Sequence, residues 1–345
     1  MFNLLALIDL IKKIVLNRIG IFKPVMMVWH VTSRCNLSCP HCPNIWLFRK
    51  KTKYILGRRA YLGILKDLST KKMKKIALEI AKVKPFYLQI TGGEPLLRND
   101  LENLLLILRP RVRYIALYTN ATLLTEKRVK KLVKLCDEIV ISLNGFKTSD
   151  FFKEKINGIK LLIKHSKDSK CKIGVNTLIL PHNVKEIIPL FNFLYKIKID
   201  FFIINFPVGW KLPPESECDE LFKRLIILKR RFPIFFRCTS IYLKEAMNFL
   251  NNPSNYKNNL GFIPVISSDG DVGVSPVYLR KIGNILEEDL QQILARKERA
   301  EKLVRKCPYG HFVHTPTGIA LLFQKSFSLE KVKDMIYLFL SYFSH

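Results

Sequence analysis

Val25-Met26-Met27-Val28-Trp29-His30-Val31 runs without a charged residue into Thr32-Ser33-Arg34-Cys35-Asn36-Leu37-Ser38-Cys39-Pro40-His41-Cys42. A short apolar run that opens directly into a thiol-rich loop reads as a buried strand delivering reactive groups from its C-terminal end. Five more runs of the same kind follow: Phe86–Thr91, Tyr114–Tyr118, Ile139–Leu143, Ile173–Leu178 and Phe201–Phe206. Between them Ile64–Val83, Leu101–Leu108, Glu126–Leu135, Phe151–Ile163 and Val184–Tyr195 carry apolar residues at helical spacing. Strand and helix in alternation predict an α/β fold on a parallel sheet, and strands covered on both faces should be nearly all apolar, as these are.

In such folds chemistry gathers at the C-terminal ends of strands. Cys35 follows the first run, Gly92-Gly93-Glu94-Pro95 the second, Thr119-Asn120 the third; Ser142 and Asn144 end the fourth, Asn176 lies late in the fifth and Asn205 ends the sixth. Beyond about residue 210 the pattern changes. Pro213-Pro214 marks a break, Glu215–Leu228 and Leu243–Asn251 read as helices, and Phe262–Ser267 and Val272–Val277 flank the hairpin signal Asp269-Gly270. A last helix is expected from about Glu287 to Lys302.

The 345 residues include 58 Lys+Arg against 28 Asp+Glu, a formal charge of +30, and 48% are hydrophobic. That is ample for a large core and excludes a disordered chain. A surface so basic attracts phosphate on nucleic acid, lipid headgroups or soluble molecules, though charge alone names no partner. Eight cysteines in a chain this long form no disulfide scaffold, and three within eight residues suit metal better than bridges. A reducing, cytoplasmic setting follows. Met1–Phe22 is apolar but interrupted by Asp9, Lys12, Lys13 and Arg18, so it falls short of the roughly 20 apolar residues of a spanning helix. It lacks the cleavage site of a signal peptide. With Asp9, Lys12 and Lys13 on one helical face, residues 1–23 are expected to lie on something apolar, the protein itself or the cytoplasmic face of a membrane.

Cys35, Cys39 and Cys42 are separated by three and then two residues. A loop of that length can wrap three thiolates around one corner of a cubane cluster and leave one iron without a protein ligand. A Cys₃His zinc site using His41 is the rival, but adjacent His41 and Cys42 strain a tetrahedron, and zinc does not explain the polar strand ends. The motif resembles that of the radical S-adenosylmethionine (radical SAM) superfamily, and the resemblance runs from Pro24 to Pro207. Gly92-Gly93-Glu94-Pro95 matches the family's GGEP signature, Thr119-Asn120-Ala121-Thr122-Leu123 looks like its TNGTLL turn, and Ile141-Ser142-Leu143-Asn144-Gly145 looks like its ISLDG segment. Val175-Asn176-Thr177-Leu178-Ile179 matches the fifth-strand region.

The resemblance implies a partial (β/α)6 TIM barrel of parallel strands over residues 24–210, with a smaller α+β C-terminal appendage over 211–345. It implies an enzyme with one [4Fe–4S] cluster on Cys35, Cys39 and Cys42, whose fourth iron is chelated by S-adenosylmethionine. Reductive cleavage of that cofactor, with electrons from a donor such as ferredoxin or flavodoxin, gives a 5′-deoxyadenosyl radical that abstracts hydrogen from a C–H bond. Gly92 and Gly93 would let backbone approach the cofactor, with Pro95 beside them, and Glu94 would accept from its amine. Asn120, Ser142 and Asn144 would serve the ribose or carboxylate, and Asn176 and Ile179 would border the adenosine. His41 stands where an aromatic residue usually contacts adenine, Asn144 replaces the ISLDG acid, and Ala121 replaces a glycine.

Ser268-Asp269-Gly270-Asp271-Val272 and Ile282-Gly283-Asn284-Ile285 resemble pieces of the SPASM or twitch auxiliary domain. Ser275 and Gly261 stand near positions where thiols would be expected, with Cys307 the one thiol nearby, so no auxiliary cluster is expected. Cys136 and Cys171 read as buried hydrophobes, Cys218, Cys238 and Cys307 as buried thiols ahead of hydrogen-atom donors, His30 as a satisfied core residue ahead of one lining the cavity, and Trp46, Phe48, Phe201, Phe202, Phe206 and Trp210 as core ahead of an apolar substrate channel.

Three substrates compete. A membrane lipid comes first, from the amphipathic N-terminus, the basic surface and the apolar stretch Met335–Phe343. A peptide comes second, from the barrel-plus-appendage architecture. A tRNA comes third: the charge suits it, but no RNA-binding motif is visible, so nucleic acid is not expected. A partner protein that keeps the cluster fold without turnover is the non-enzymatic alternative, opposed by the intact Cys35, Cys39, Cys42 and Glu94.

Overall fold

The computed structural model describes residues 8–13, 16, 24–42, 67–146, 151–206, 213–251, 263–274, 281–305, 333, 334 and 337. Six parallel strands follow one another in sequence order: β1 (Met26–His30), β2 (Tyr87–Thr91), β3 (Tyr114–Thr119), β4 (Glu138–Ser142), β5 (Lys172–Leu178) and β6 (Phe201–Asn205). Each is followed by a helix that buries an apolar stripe against the outside of the sheet. In α1 (Thr70–Val83) that stripe is Met73, Ile76, Ala77 and Ile80, and Lys84 ends the helix in the left-handed region at φ 52°. α2 (Leu101–Leu108) buries Leu101, Leu104, Leu105 and Leu108. α3 (Glu126–Leu135) begins at Thr125, whose hydroxyl accepts from the Arg128 N–H, and buries Val129, Leu132 and Val133. α4 (Phe152–Ser166) and α5 (Ile187–Lys196) complete the layer. The α/β partial barrel is as the sequence implied.

The C-terminal region departs from a simple appendage. α6 (Glu215–Arg231) leads to Phe235–Arg237, which runs beside β6: Phe202 N–H donates to Phe235 O, and Arg237 N–H to Phe202 O. α7 (Ser240–Asn251) follows. β7 (Val265–Ile266) pairs in parallel with Val28 and Trp29 of β1, and β8 (Asp271–Gly273) and β9 (Lys281–Asn284) continue antiparallel. All nine strands form one sheet in the order β6-β5-β4-β3-β2-β1-β7-β8-β9. The hairpin extends the barrel's own sheet from the outer edge of β1. β9 was not foreseen as a strand, and the single expected C-terminal helix is two, α8 (Leu290–Ala295) and α9 (Lys297–Arg305).

Period-two alternation sorts strand residues between the helix-covered face and the opposite, concave face. The lower tier of the concave face is a buried polar knot. Tyr87 and Tyr114 stack 5.4 Å apart and both donate hydroxyls to the Glu138 carboxylate, which also pairs with Arg237. The Arg237 guanidinium lies 3.2 Å from the Phe201 ring centre. Burial, with Arg237 nearby, brings Lys172 down to about 8. Interactions reaching from β2 across to the segment beyond β6 require the sheet to curl around this face.

Residues 8–13 are helical. Lys13 is buried beside Asp9 at 3.4 Å, while Ile8 and Ile11 are 52% and 49% exposed. Lys13 and the partly buried Leu10 turn toward the protein, while Ile8, Ile11 and Lys12 are exposed. Among the described residues no helix is long and apolar enough to cross a membrane. Most of Met335–Phe343 lies outside the described residues, but Asp334 accepts from Ser240 Oγ and Ile241 N–H, capping α7.

Candidate active site

The strand ends converge as expected. The chain leaves β1 through Val31, whose N–H donates to Thr91 O, and Thr32 and Ser33 are buried. Gly92 and Gly93 pack directly on this stem: Gly93 N–H donates to Thr32 O at 2.9 Å and Glu94 N–H to Arg34 O at 2.8 Å. A Cβ on Gly92 would stand 2.4 Å from Thr32 O, and one on Gly93 2.0 Å from Arg34 O. The physical reason for both glycines is therefore the chain's own backbone, brought close so that the loops after β1 and β2 move as one body. Pro95 is buried just beyond, opening a short 3-10 turn.

Glu94 is 1% exposed and receives three donors: Leu96 N–H at 3.0 Å, Thr119 Oγ1 at 2.7 Å and Asn120 N–H at 2.7 Å. Burial pushes its carboxyl up, and these donors pull the other way. A carboxylate offers about four lone-pair sites, so room remains for one further donor. Glu94 is foremost a tie between the loops after β2 and β3. The Asn120 side chain extends the tie to the cysteine loop, donating to Asn36 Oδ1 at 2.9 Å, while Asn36 Nδ2 donates to Thr122 Oγ1 at 2.8 Å. From below, Asp67 accepts from Thr32 Oγ1 and Arg34 Nε at 2.7 and 2.8 Å.

Cys35, Cys39 and Cys42 are half-buried and form no disulfide. Cys42 N–H donates to Cys39 O, folding the loop into a turn. Burial, with the Glu94 and Cys39 charges, pushes the Cys35 thiol up, while the Leu37 N–H at 3.4 Å and the Asn120 amide, both donating to its sulfur, pull the other way. Three thiols in one loop, one of them already receiving N–H donors, are the donor type a cubane takes, one thiolate on each of three irons. The donor set fits by its chemistry, while among the described residues no three such side chains stand together as a ready metal site.

On β4, Asn144 Oδ1 accepts from Leu178 N–H at 2.9 Å, so its Nδ2 must be the donor to His41 Nε2, also at 2.9 Å. The network thus assigns His41 as a neutral imidazole with its proton on Nδ1. Asn183, unforeseen in the sequence, donates to Asn144 O and Leu178 O and fixes this corner. On β5 and β6 the Tyr242 hydroxyl donates to Asn205 Oδ1 at 3.0 Å and Asn205 Nδ2 to Asn176 Oδ1 at 2.7 Å. That direction turns the Asn176 N–H₂ away from Asn205. Ser142, paired in register with Asn176, is half-buried, and Ile179 is fully buried with its N–H on Asn205 O.

The remaining expectations divide. Cys136, Cys171, Cys218, Cys238, Phe201, Phe202 and Phe206 are buried as expected. Trp46, Phe48, Trp210, Gly261, Ser275 and Cys307 lie outside the described residues. His30 is not the satisfied core residue anticipated: its Nε2 is buried without a hydrogen-bond partner, as is Gln89 Oε1. Burial alone brings His30 down to about 4.

Comparison with known proteins bears on the family and fold. The radical SAM superfamily model matches residues 29–194. GTP 3',8-cyclase of Clostridium perfringens is 30% identical over 255 residues, covering 69% of this chain and 72% of that protein. Fe-coproporphyrin III synthase of Methanosarcina barkeri is 28% identical over 51% of this chain but 42% of its own length. PqqA peptide cyclase of Bradyrhizobium diazoefficiens is 32% identical over 35% of this chain and 29% of its own. The match therefore spans less than half of each of these two relatives. Among solved structures, Streptococcus suis SuiB bound to its precursor peptide SuiA shares the fold with a TM-score of 0.63 at 19% identity, covering 87% of this chain and 70% of that one. With a thiol loop, a glycine-tight stem and polar strand ends all in the family's order, the chain belongs to the radical SAM superfamily, enzymes that work with a [4Fe–4S] cluster and S-adenosylmethionine.

Proposed function

We propose that this enzyme abstracts a hydrogen atom from a C–H bond of a peptide. In this reading Cys35, Cys39 and Cys42 hold the cluster, and Gly92, Gly93, Glu94 and Pro95 border the methionyl end of the cofactor. His41, Asn120, Ser142, Asn144, Asn176 and Ile179 border its adenosine. Bound there, cluster and cofactor supply a 5′-deoxyadenosyl radical once a donor such as ferredoxin or flavodoxin delivers an electron. The chain's own residues hold the loops rigid through Glu94 and Asn120 and shield the space between them.

The observation that carries the peptide reading is the chemistry of the concave face above the polar knot. His30, Gln89, Tyr118, Ser142, Asn176 and Asn205 present carboxamides, hydroxyls and a neutral imidazole, with no lysine or arginine among the described residues at this level. Such groups match a substrate rich in amides better than one rich in phosphate. PqqA peptide cyclase among the relatives, and the fold shared with peptide-bound SuiB, support the same choice. Exposed Ile8 and Ile11 favour a second reading, a membrane lipid met at a bilayer surface.

The test compares peptides and lipids from cells carrying the gene with those from cells carrying Cys39→Ala. A peptide whose mass changes with the active gene alone is expected; a change confined to lipids would overturn the peptide reading. Loss of liposome binding on removing residues 1–22 would strengthen the second reading.

A further inference from the structure

We propose that His30 and Gln89 form a substrate subsite in the middle of the concave face, built to take one neutral amide group. The choice of ligand rests on the peptide reading above. β1 and β2 are parallel neighbours, with Val28 opposite Gln89 and His30 opposite Thr91. Tyr87 faces the concave side, where its hydroxyl meets Glu138, so Gln89, two residues on, faces there too. Val28 is opposite Gln89, which puts His30 on the same side one step nearer the strand ends. Both His30 Nε2 and Gln89 Oε1 are shut off from solvent and unpartnered. Native proteins pair nearly all such atoms, because leaving one unpaired when buried forfeits its hydration. Trp29 Nε1 is also unpartnered, but it belongs to the opposite, helix-covered face, whereas His30 Nε2 and Gln89 Oε1 share the concave face on adjacent strands.

The polarity of the pair limits the ligand. In this orientation of its carboxamide Gln89 presents Oε1, which accepts, so a ligand that meets it brings an N–H or O–H donor. His30 is neutral, and its ring nitrogens are one donor and one acceptor. A carboxylate or phosphate group, which only accepts, leaves Gln89 unmet. A secondary amide carries one N–H donor and one C=O acceptor, on opposite edges when trans, so it can answer an acceptor on one side and a donor on the other. The carboxylate below, Glu138, is already committed to Tyr87, Tyr114 and Arg237.

The test uses the full-length, cluster-loaded enzyme with N-acetylglycine N-methylamide as the probe. Gln89→Leu and His30→Leu replace each orphaned atom by an apolar group of similar size. Both variants are expected to melt at or above the wild-type temperature, since no protein hydrogen bond is lost, and to bind the probe about fivefold more weakly by calorimetry, the equivalent of one neutral hydrogen bond. Lower melting of either variant would show a structural role and overturn the subsite, as would unchanged probe affinity. So would an anaerobic crystal structure in which an ordered water alone joins the two atoms while the probe binds elsewhere. If both variants lose probe affinity but no peptide changes mass in cells, the subsite stands and the peptide reading falls.

Discussion

The lower and upper tiers of the concave face are built on the same six strands, yet they treat polarity in opposite ways. Below, Tyr87, Tyr114, Glu138 and Arg237 are charged or strongly polar, deeply buried and bonded to one another. Above, among the described residues, His30 Nε2 and Gln89 Oε1 have no protein partner and Asn176 turns its N–H₂ away from Asn205. Polar groups that satisfy one another define a floor, whereas polar groups left unanswered define a place for something else. In a barrel with its chemistry at the C-terminal strand ends, stability belongs at the bottom and recognition at the top.

Measurements can break that contrast. The largest effect is expected from Cys39→Ala, which should abolish cofactor cleavage and drop iron well below the about four per chain of an intact cluster; unchanged iron and turnover would remove Cys39 from the ligand set. In the floor, Arg237→Met strands the buried Glu138 charge and should cost about 3–5 kcal/mol in denaturant unfolding. Adding Glu138→Leu should recover much of the loss. If the double variant is no better than the single, the knot is not the closed unit described.

The next test is a slope against pH. His30 titrates near 6.5 when unfolded and about 4 when folded, so the unfolded chain takes up a proton that the folded one refuses. Stability should therefore fall as pH drops from 6.5 toward 4, and His30→Leu should lack that component. Equal slopes in the two proteins would mean that the imidazole is not buried neutral. Glu94→Gln keeps one acceptor oxygen where three donors now converge, and should lose about 1.5–3 kcal/mol. Last, the tiers should answer differently to removing one hydroxyl. Tyr114→Phe should cost about 1 kcal/mol, whereas Ser142→Ala should change stability by less than about 0.5 kcal/mol and show itself in cofactor affinity. Equal stability losses would erase the distinction.

The strands were legible because burial on both faces demands continuous apolar runs, and all six fall within a residue of the expected bounds. α2 and α3 match to the residue for a similar reason: each carries a clean apolar stripe, and Thr125 signals the start of α3. The cysteine loop was legible from thiol spacing alone. The parts that escaped depend on contacts distant in sequence. Nothing local tells that Phe235–Arg237 will lie along β6, that Arg237 will reach Glu138, or that β7 will choose the edge of β1. Glycine was read as a mark of backbone approaching the cofactor, and at Gly92 and Gly93 the structure adds a close approach to backbone of the same chain. His30 was misjudged because pairing of a histidine depends on what surrounds it, which one strand cannot reveal.

The seam between β1 and β7 has a practical side. Val28 N–H donates to Pro264 O, and β7 covers part of what would be the bare margin of the first strand. A shortened protein stopping before residue 263 would carry every catalytic motif and still leave that margin open to strands of other molecules. Such a fragment should precipitate or self-associate as it is made, so the barrel's solubility is held by residues more than two hundred positions downstream of the strand they protect.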